Sequence, residues 1–136
     1  MEIAKKIESK VVLSTLWIFV TLNYLYCDLI GLMDSKLLSQ YLIGNVGGLV
    51  LNEQFLLLAG ILMELPIAMV LLSRILNYKA NRLTNIIVGL IKTGVMILTL
   101  FMGKPTIYYL FFAAIEITTS LFITWYACQW KEVEAK

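Results

Sequence analysis

Four apolar stretches, each long enough to cross a bilayer as a helix, constrain this chain more than any other feature. A hydrocarbon core takes about 20 consecutive helical residues. Stretches of that kind lie near residues 11–33, 55–76, 85–103 and 106–130. The second is broken only by Glu64 and Pro66, the third by Lys92 and the fourth by Glu116. Membrane-spanning β-strands would be shorter and would alternate apolar with polar residues, which these do not. The expected fold is therefore all-α: one integral membrane domain over residues 1–136, built as a four-helix transmembrane bundle.

Composition removes most other classes. Of the 136 residues 60% are hydrophobic and 15% charged, against roughly 45–50% and about 25% in soluble domains. A chain this apolar is not disordered, and its net charge of +2 is too weak a field to grip nucleic acid. With no His and two Cys, Cys/His nucleophile pairs and His-ligated haem are excluded, and a zinc site has too few of its usual ligands to be expected. The sequence thus points to no metal, no cofactor and no enzymatic activity.

Lys5, Lys6 and Lys10 resemble the basic start of a signal peptide. The apolar run after them is too long for one, carries Asp28 and lacks a small-x-small cleavage site. The first stretch is read as a retained span. With the N-terminus inside, Lys5, Lys6, Lys10, Arg74, Lys79, Arg82, Lys131 and Lys136 fall on the cytoplasmic side, while Lys36 and Lys104 fall outside. Basic residues concentrate on cytoplasmic flanks, so both termini are expected there.

The connections differ in kind. Residues 77–84 read as a short basic turn and residues 103–106 as a tight hairpin. In the longest connection, residues 34–54, Asp34 or Ser35 can cap a short helix. Its Leu37, Leu38, Tyr41 and Leu42 recur at helical spacing before Gly44. This helix is expected to lie in the outer interface, with Gly47 and Gly48 turning the chain back. Trp17, Trp125, Trp130, Tyr108 and Tyr109 are expected mostly near span ends. Cys27 and Cys128 fall roughly 25 Å apart along the membrane normal, too far for a bridge.

Polar side chains in a span must face a partner helix or water. Ser14, Trp17, Thr21, Tyr24, Asp28 and Gly31 recur at steps of three and four in the first span. Asn85, Gly89, Lys92, Met96, Thr99 and Gly103 do so in the third, and Thr106, Tyr109, Ala113, Glu116 and Ser120 in the fourth. In the second, Gly60 and Glu64 share a face that Arg74 rejoins. Counting from the cytoplasmic ends, Lys92 lies at roughly 12 Å, Glu64 at about 16 Å and Glu116 at about 20 Å. Asn23 is level with Glu116, and Asp28 is about 7 Å farther out. Two carboxylates and one ammonium are thus expected to meet near the midplane. Lys92 can neutralise one carboxylate; the other must be protonated, be hydrated or hold a cation. Pro66 frees the carbonyl of Leu62, which either kinks the bundle or offers a ligand beside Glu64.

The run Ile61-Leu62-Met63-Glu64-Leu65-Pro66-Ile67-Ala68-Met69-Val70-Leu71-Leu72-Ser73-Arg74 resembles a family of small prokaryotic four-span membrane proteins of unknown function, loosely DoxX-like. Residues 23–28, residues 80–82 and Tyr108-Tyr109-Leu110-Phe111-Phe112 with Glu116 following carry the same resemblance. It implies a four-helix bundle in a prokaryotic plasma membrane, and the DoxX link implies a partner role beside a membrane oxidoreductase. No Cys-x-x-Cys motif accompanies it.

The leading expectation is a homo-oligomeric membrane protein, surrounded by lipid, that binds or conducts a small ion or solute through its polar interior. Glu64, Glu116, Asp28 and Asn23 would form the site, with Lys92 as internal counter-ion. Two alternatives stand beside it. One is a structural or accessory subunit of a membrane protein complex, whose charges only lock helix packing. The other is a lipid- or quinone-binding protein using grooves between helices.

Overall fold

The computed structural model describes residues 2–132, with side chains from Glu8 onward. Of the basic residues counted above, the side chains of Lys5 and Lys6, and all of Lys136, lie outside the described residues. The elements are α1 (Glu2–Met33), α2 (Ser35–Ile43), β1 (Asn45–Val46), β2 (Leu49–Val50), α3 (Glu53–Ile75), α4 (Tyr78–Leu100) and α5 (Ile107–Gln129). Four of the five helices are long and apolar enough to cross a membrane. They pack as a bundle, so the all-α expectation holds.

Helix ends follow local chemistry. Asp34 caps α2 by accepting from the backbone N–H of Lys36 at 3.0 Å and of Leu37 at 3.4 Å. Gly44 closes the helix at φ 76°, a left-handed conformation that glycine adopts without a Cβ penalty. Beyond it the chain forms a minimal antiparallel hairpin pairing Asn45 with Val50 and Val46 with Leu49. Gly47 and Gly48, at φ 58° and 92°, supply the two positive φ angles of its tight turn. Spacing showed the turn but not these strands, which are two residues each. Residues 77–84 are not a turn. Asn77 accepts from the N–H of Ala80 at 3.0 Å and starts α4 directly at Tyr78. The basic residues there ride on the first turns of a helix whose polarity mimics a loop.

Around the bundle, α1 packs on α3 and α5, and α4 packs on α5 most closely of all; the α3–α4 seam is the thinnest. Hydrocarbon tails are as apolar as leucine, so helices in lipid are held by close packing and hydrogen bonds rather than by hydrophobic burial. Gly89 shows the first of these. A Cβ there would fall on Thr124 Oγ1 and lie 3.2 Å from the carbonyl of Ser120. Leu13, Trp17, Val20 and Tyr24 from α1 meet Met69, Val88, Met96, Ala113, Ile123 and Ala127 in the core. Trp17 is fully buried rather than at a span end.

The polar stripes place α1, α4 and α5 correctly and α3 wrongly. Glu64, Gly60 and Arg74 are exposed, whereas Pro66, Met69 and Ser73 face inward. Only 11% of the apolar window of α3 is buried, against 28% for each of the other spans. Glu53–Leu65 contributes no buried residue at all.

Candidate functional site

The interior polar groups fall into two layers of different character. The first is centred on Asn85. Its Nδ2 donates to the Asn81 carbonyl at 2.8 Å and to Asn81 Oδ1 at 2.7 Å. Its Oδ1 accepts from Trp17 Nε1 at 2.7 Å and from Ser73 Oγ at 3.3 Å. Asn81 Nδ2 donates in turn to the carbonyl of Ser73 at 2.7 Å, and Ser14 Oγ donates to that of Val70 at 2.8 Å. An amide has two donors and one two-pair acceptor, and Asn85 uses all of them. This layer joins α1, α3 and α4, and Asn85 at its centre has no valence left for a ligand.

The second layer lies two helical turns along α4, roughly 10 Å away, and is not saturated. Lys92 and Glu116 are 2% and 1% exposed. The Lys92 ammonium sits 4.0 Å from the centre of the Tyr24 ring and donates to Met63 Sδ at 3.8 Å. Among the described residues it closes no salt bridge. Glu116 Oε1 is buried and has no hydrogen-bond partner, as does Thr21 Oγ1 on α1. The Tyr24 hydroxyl and Ser120 Oγ are 3.4 Å apart, either one donating. Thr93 and Thr119 turn their hydroxyls back onto the carbonyls of Gly89 and Ile115. A buried polar atom without a partner keeps its full desolvation cost, so each such atom calls for a reason: strain, chemistry, or a water or ion held there.

Of the five sequence-selected site residues, the structure gathers Glu116, Lys92 and Asp28. Asp28 is exposed, four residues along α1 from Tyr24, and close enough for its charge to act on both Lys92 and Glu116. Glu64 is not among them; it faces outward on α3. Asn23 also turns away. Its Nδ2 donates to the carbonyl of Phe19 at 2.9 Å. It lines a shallow groove of about 250 Å³ with Phe19, Leu22, Tyr26 and Phe112. Pro66 is buried inside α3, which runs unbroken through it. Sequence reasoning missed Ser73 and Asn81. Asn81 lies four residues before Asn85, an extension of the α4 stripe that the supposed turn concealed.

At the α2 end of the bundle, the Tyr108 hydroxyl donates to Asp34 Oδ2 at 3.3 Å and the Tyr109 hydroxyl to Thr99 Oγ1 at 2.6 Å. The first of these ties the cap of α2 to α5. Burial pushes the Tyr41 phenol of α2 above its ordinary range, with the Asp28 carboxylate acting in the same direction. Cys27 is buried and Cys128 exposed, and both are free thiols. Among the described residues no three His, Cys, Asp or Glu side chains group to hold a metal ion.

Residues 1–136 match the family described as "Family of unknown function (DUF6326)", and the chain belongs to that family. With four candidate spans it is a multi-pass membrane protein of that family. No curated protein and no solved structure matches it.

Proposed function

We propose that this member of the DUF6326 family is a non-enzymatic protein that takes a small ion, a proton in the first instance, into the Glu116–Lys92 layer. The observation that carries this reading is the unpartnered Glu116 Oε1 beside a lysine held on an aromatic ring rather than in an ion pair. Intramembrane ionisable groups are costly and mark ion pathways more often than packing. A proton needs one free oxygen, which the layer has. A dehydrated divalent cation needs six or more. Asp28, exposed near the α2 end, is the group through which the layer would exchange with solvent. The basic bias supports an orientation with this end outside and both termini cytoplasmic, and the reading sets the chain in a prokaryotic plasma membrane.

The exposed Glu64 supports a homo-oligomer, because a carboxylate at that depth costs at least ~2.5 kcal/mol against lipid. The same exposed face favours the second reading, an accessory subunit whose partner chain covers α3.

Liposomes loaded with a pH-sensitive dye test the proposal. The wild-type protein is expected to speed decay of an imposed pH gradient, Glu116→Gln to reduce that rate at least tenfold, and Thr118→Ala, on the exposed side of α5, to keep it. A folded wild-type protein no faster than empty liposomes, and no carboxyl band lost from proton-uptake infrared spectra in Glu116→Gln, would leave Glu116 a structural residue.

A further inference from the structure

At the end of the bundle where α1 begins and α5 ends, the first turns of α4 carry a groove of about 300 Å³ lined by Tyr78, Lys79, Arg82, Leu83 and Ile86. Its polar rim is built. The Tyr78 hydroxyl donates to the carbonyl of Trp130 at 2.8 Å, and its ring meets the Trp130 indole edge-on at 5.1 Å. Arg82 donates from Nη1 to the Tyr78 hydroxyl at 3.3 Å and from Nη2 to the carbonyl of Cys128 at 3.0 Å. These bonds hold the guanidinium against the C-terminus of α5 with further N–H donors unspent. Lys79 is exposed and its ammonium takes part in no bond or ion pair among the described residues.

Below the rim the lining turns apolar along one helix face. Lys79, Leu83 and Ile86 follow at steps of four and three, so the groove descends roughly 10 Å from the charge into the hydrocarbon zone. Leu83 is 57% exposed and Ile86 half-buried. The described charges at this end are Lys10, Arg74, Lys79, Arg82 and Lys131 against Glu8 and Glu132. Lys10 is spent on the end of α3, donating to the Leu76 carbonyl at 2.6 Å. Positive charge at the interface over an apolar channel matches a phosphodiester with an acyl chain below it. Arg suits the phosphate through its planar fork and Lys as a point charge.

The geometry points to this groove as a site for one anionic phospholipid, its phosphate on Lys79 and the free donors of Arg82, its acyl chain along Leu83 and Ile86. The proposal is independent of the Glu116–Lys92 layer.

Native mass spectrometry of the purified chain, offered phosphatidylglycerol and phosphatidylcholine at equal concentration, tests it. The wild type is expected to retain the anionic lipid at least fivefold over the zwitterionic one. Lys79→Gln should remove that preference, and since the Lys79 ammonium makes no hydrogen bond or ion pair among the described residues the variant is expected to fold. Lys131→Gln removes the same charge at the same end but outside the groove, and should keep it. Equal losses in Lys79→Gln and Lys131→Gln would mean diffuse attraction and overturn the site. So would a wild type without preference, or full displacement of the lipid by millimolar inorganic phosphate.

Discussion

The ammonium of Lys92 rests 4.0 Å from the centre of the Tyr24 ring and makes no salt bridge with Glu116, although both charged residues are buried to about the same extent. The ring face carries the negative lobe of the aromatic quadrupole, and a desolvated cation–π contact contributes about 2 kcal/mol. α1 and α4 are therefore joined by a contact that leaves the carboxyl of Glu116 uncommitted.

A double-mutant cycle should reproduce that order. Tyr24→Leu and Lys92→Met are expected to couple by about 1–2 kcal/mol, because a lysine stripped of its ring is a lone buried charge. Tyr24→Phe keeps the ring and should cost under about 1 kcal/mol, the worth of one weak hydrogen bond. Thermal unfolding in detergent reads all of these. A larger coupling between Lys92→Met and Glu116→Gln than between Lys92→Met and Tyr24→Leu would return the ion pair to the centre of the layer.

The saturated layer should behave as a lock. Asn85→Leu strands Trp17 Nε1, Ser73 Oγ and the Asn81 side chain together, and is expected to cost about 2–4 kcal/mol. Trp17→Phe loses a single bond and should fall near the interhelical average of about 0.6 kcal/mol plus a modest packing loss. Equal losses for the two would deny Asn85 its central position.

Gly89 sets the α4–α5 distance. Gly89→Ala drives a methyl onto Thr124 Oγ1 and should destabilise by about 1–3 kcal/mol. Thr124→Ala removes that obstruction at little cost, since its hydroxyl bonds only the Ser120 carbonyl of its own helix. The double variant is expected to regain part of the loss, with the remainder fixed by the Ser120 carbonyl, which cannot retreat. Additive losses would mean that the helices separate instead of the side chain yielding.

What the sequence made legible depended on contrast. On α1, α4 and α5 polar and small residues stand out at helical spacing from apolar neighbours, and Trp17, Lys92, Glu116 and Ser120 are buried as that spacing requires. The Asp34 and Gly44 ends of α2 were readable because each has a local backbone reason. On α3 the contrast fails. Its residues are apolar almost all round, so the spacing points to Gly60 and Glu64 as the inner face, whereas Pro66, Met69 and Ser73 form it. A lone carboxylate shows that a face is special without showing whether its partner lies inside the chain. Asn81 was hidden by a cluster of polar residues that resembles a turn but is capped into a helix.

Glu64 yields the sharpest remaining prediction. It lies on the span that buries least of itself, with Gly60 one turn away and open space where a Cβ would stand. A helix can approach closely along such a face. A second copy approaching across a twofold axis would bring two Glu64 side chains together and take them out of contact with lipid. In a background with Cys27→Ala and Cys128→Ala, Glu64→Cys is expected to give a disulfide-linked dimer on mild oxidation in membranes, while Leu90→Cys, on the exposed side of α4, stays monomeric. Glu64→Gln keeps a hydrogen-bonding group and should retain the dimer by light scattering, whereas Glu64→Lys should disperse it through like-charge repulsion. A Glu64→Cys chain that remains monomeric while Glu64→Lys pulls down an unrelated membrane protein less efficiently than wild type would assign the face to a different partner. A monomer that is indifferent to every one of these substitutions would leave Glu64 exposed to lipid and the oligomer reading without support.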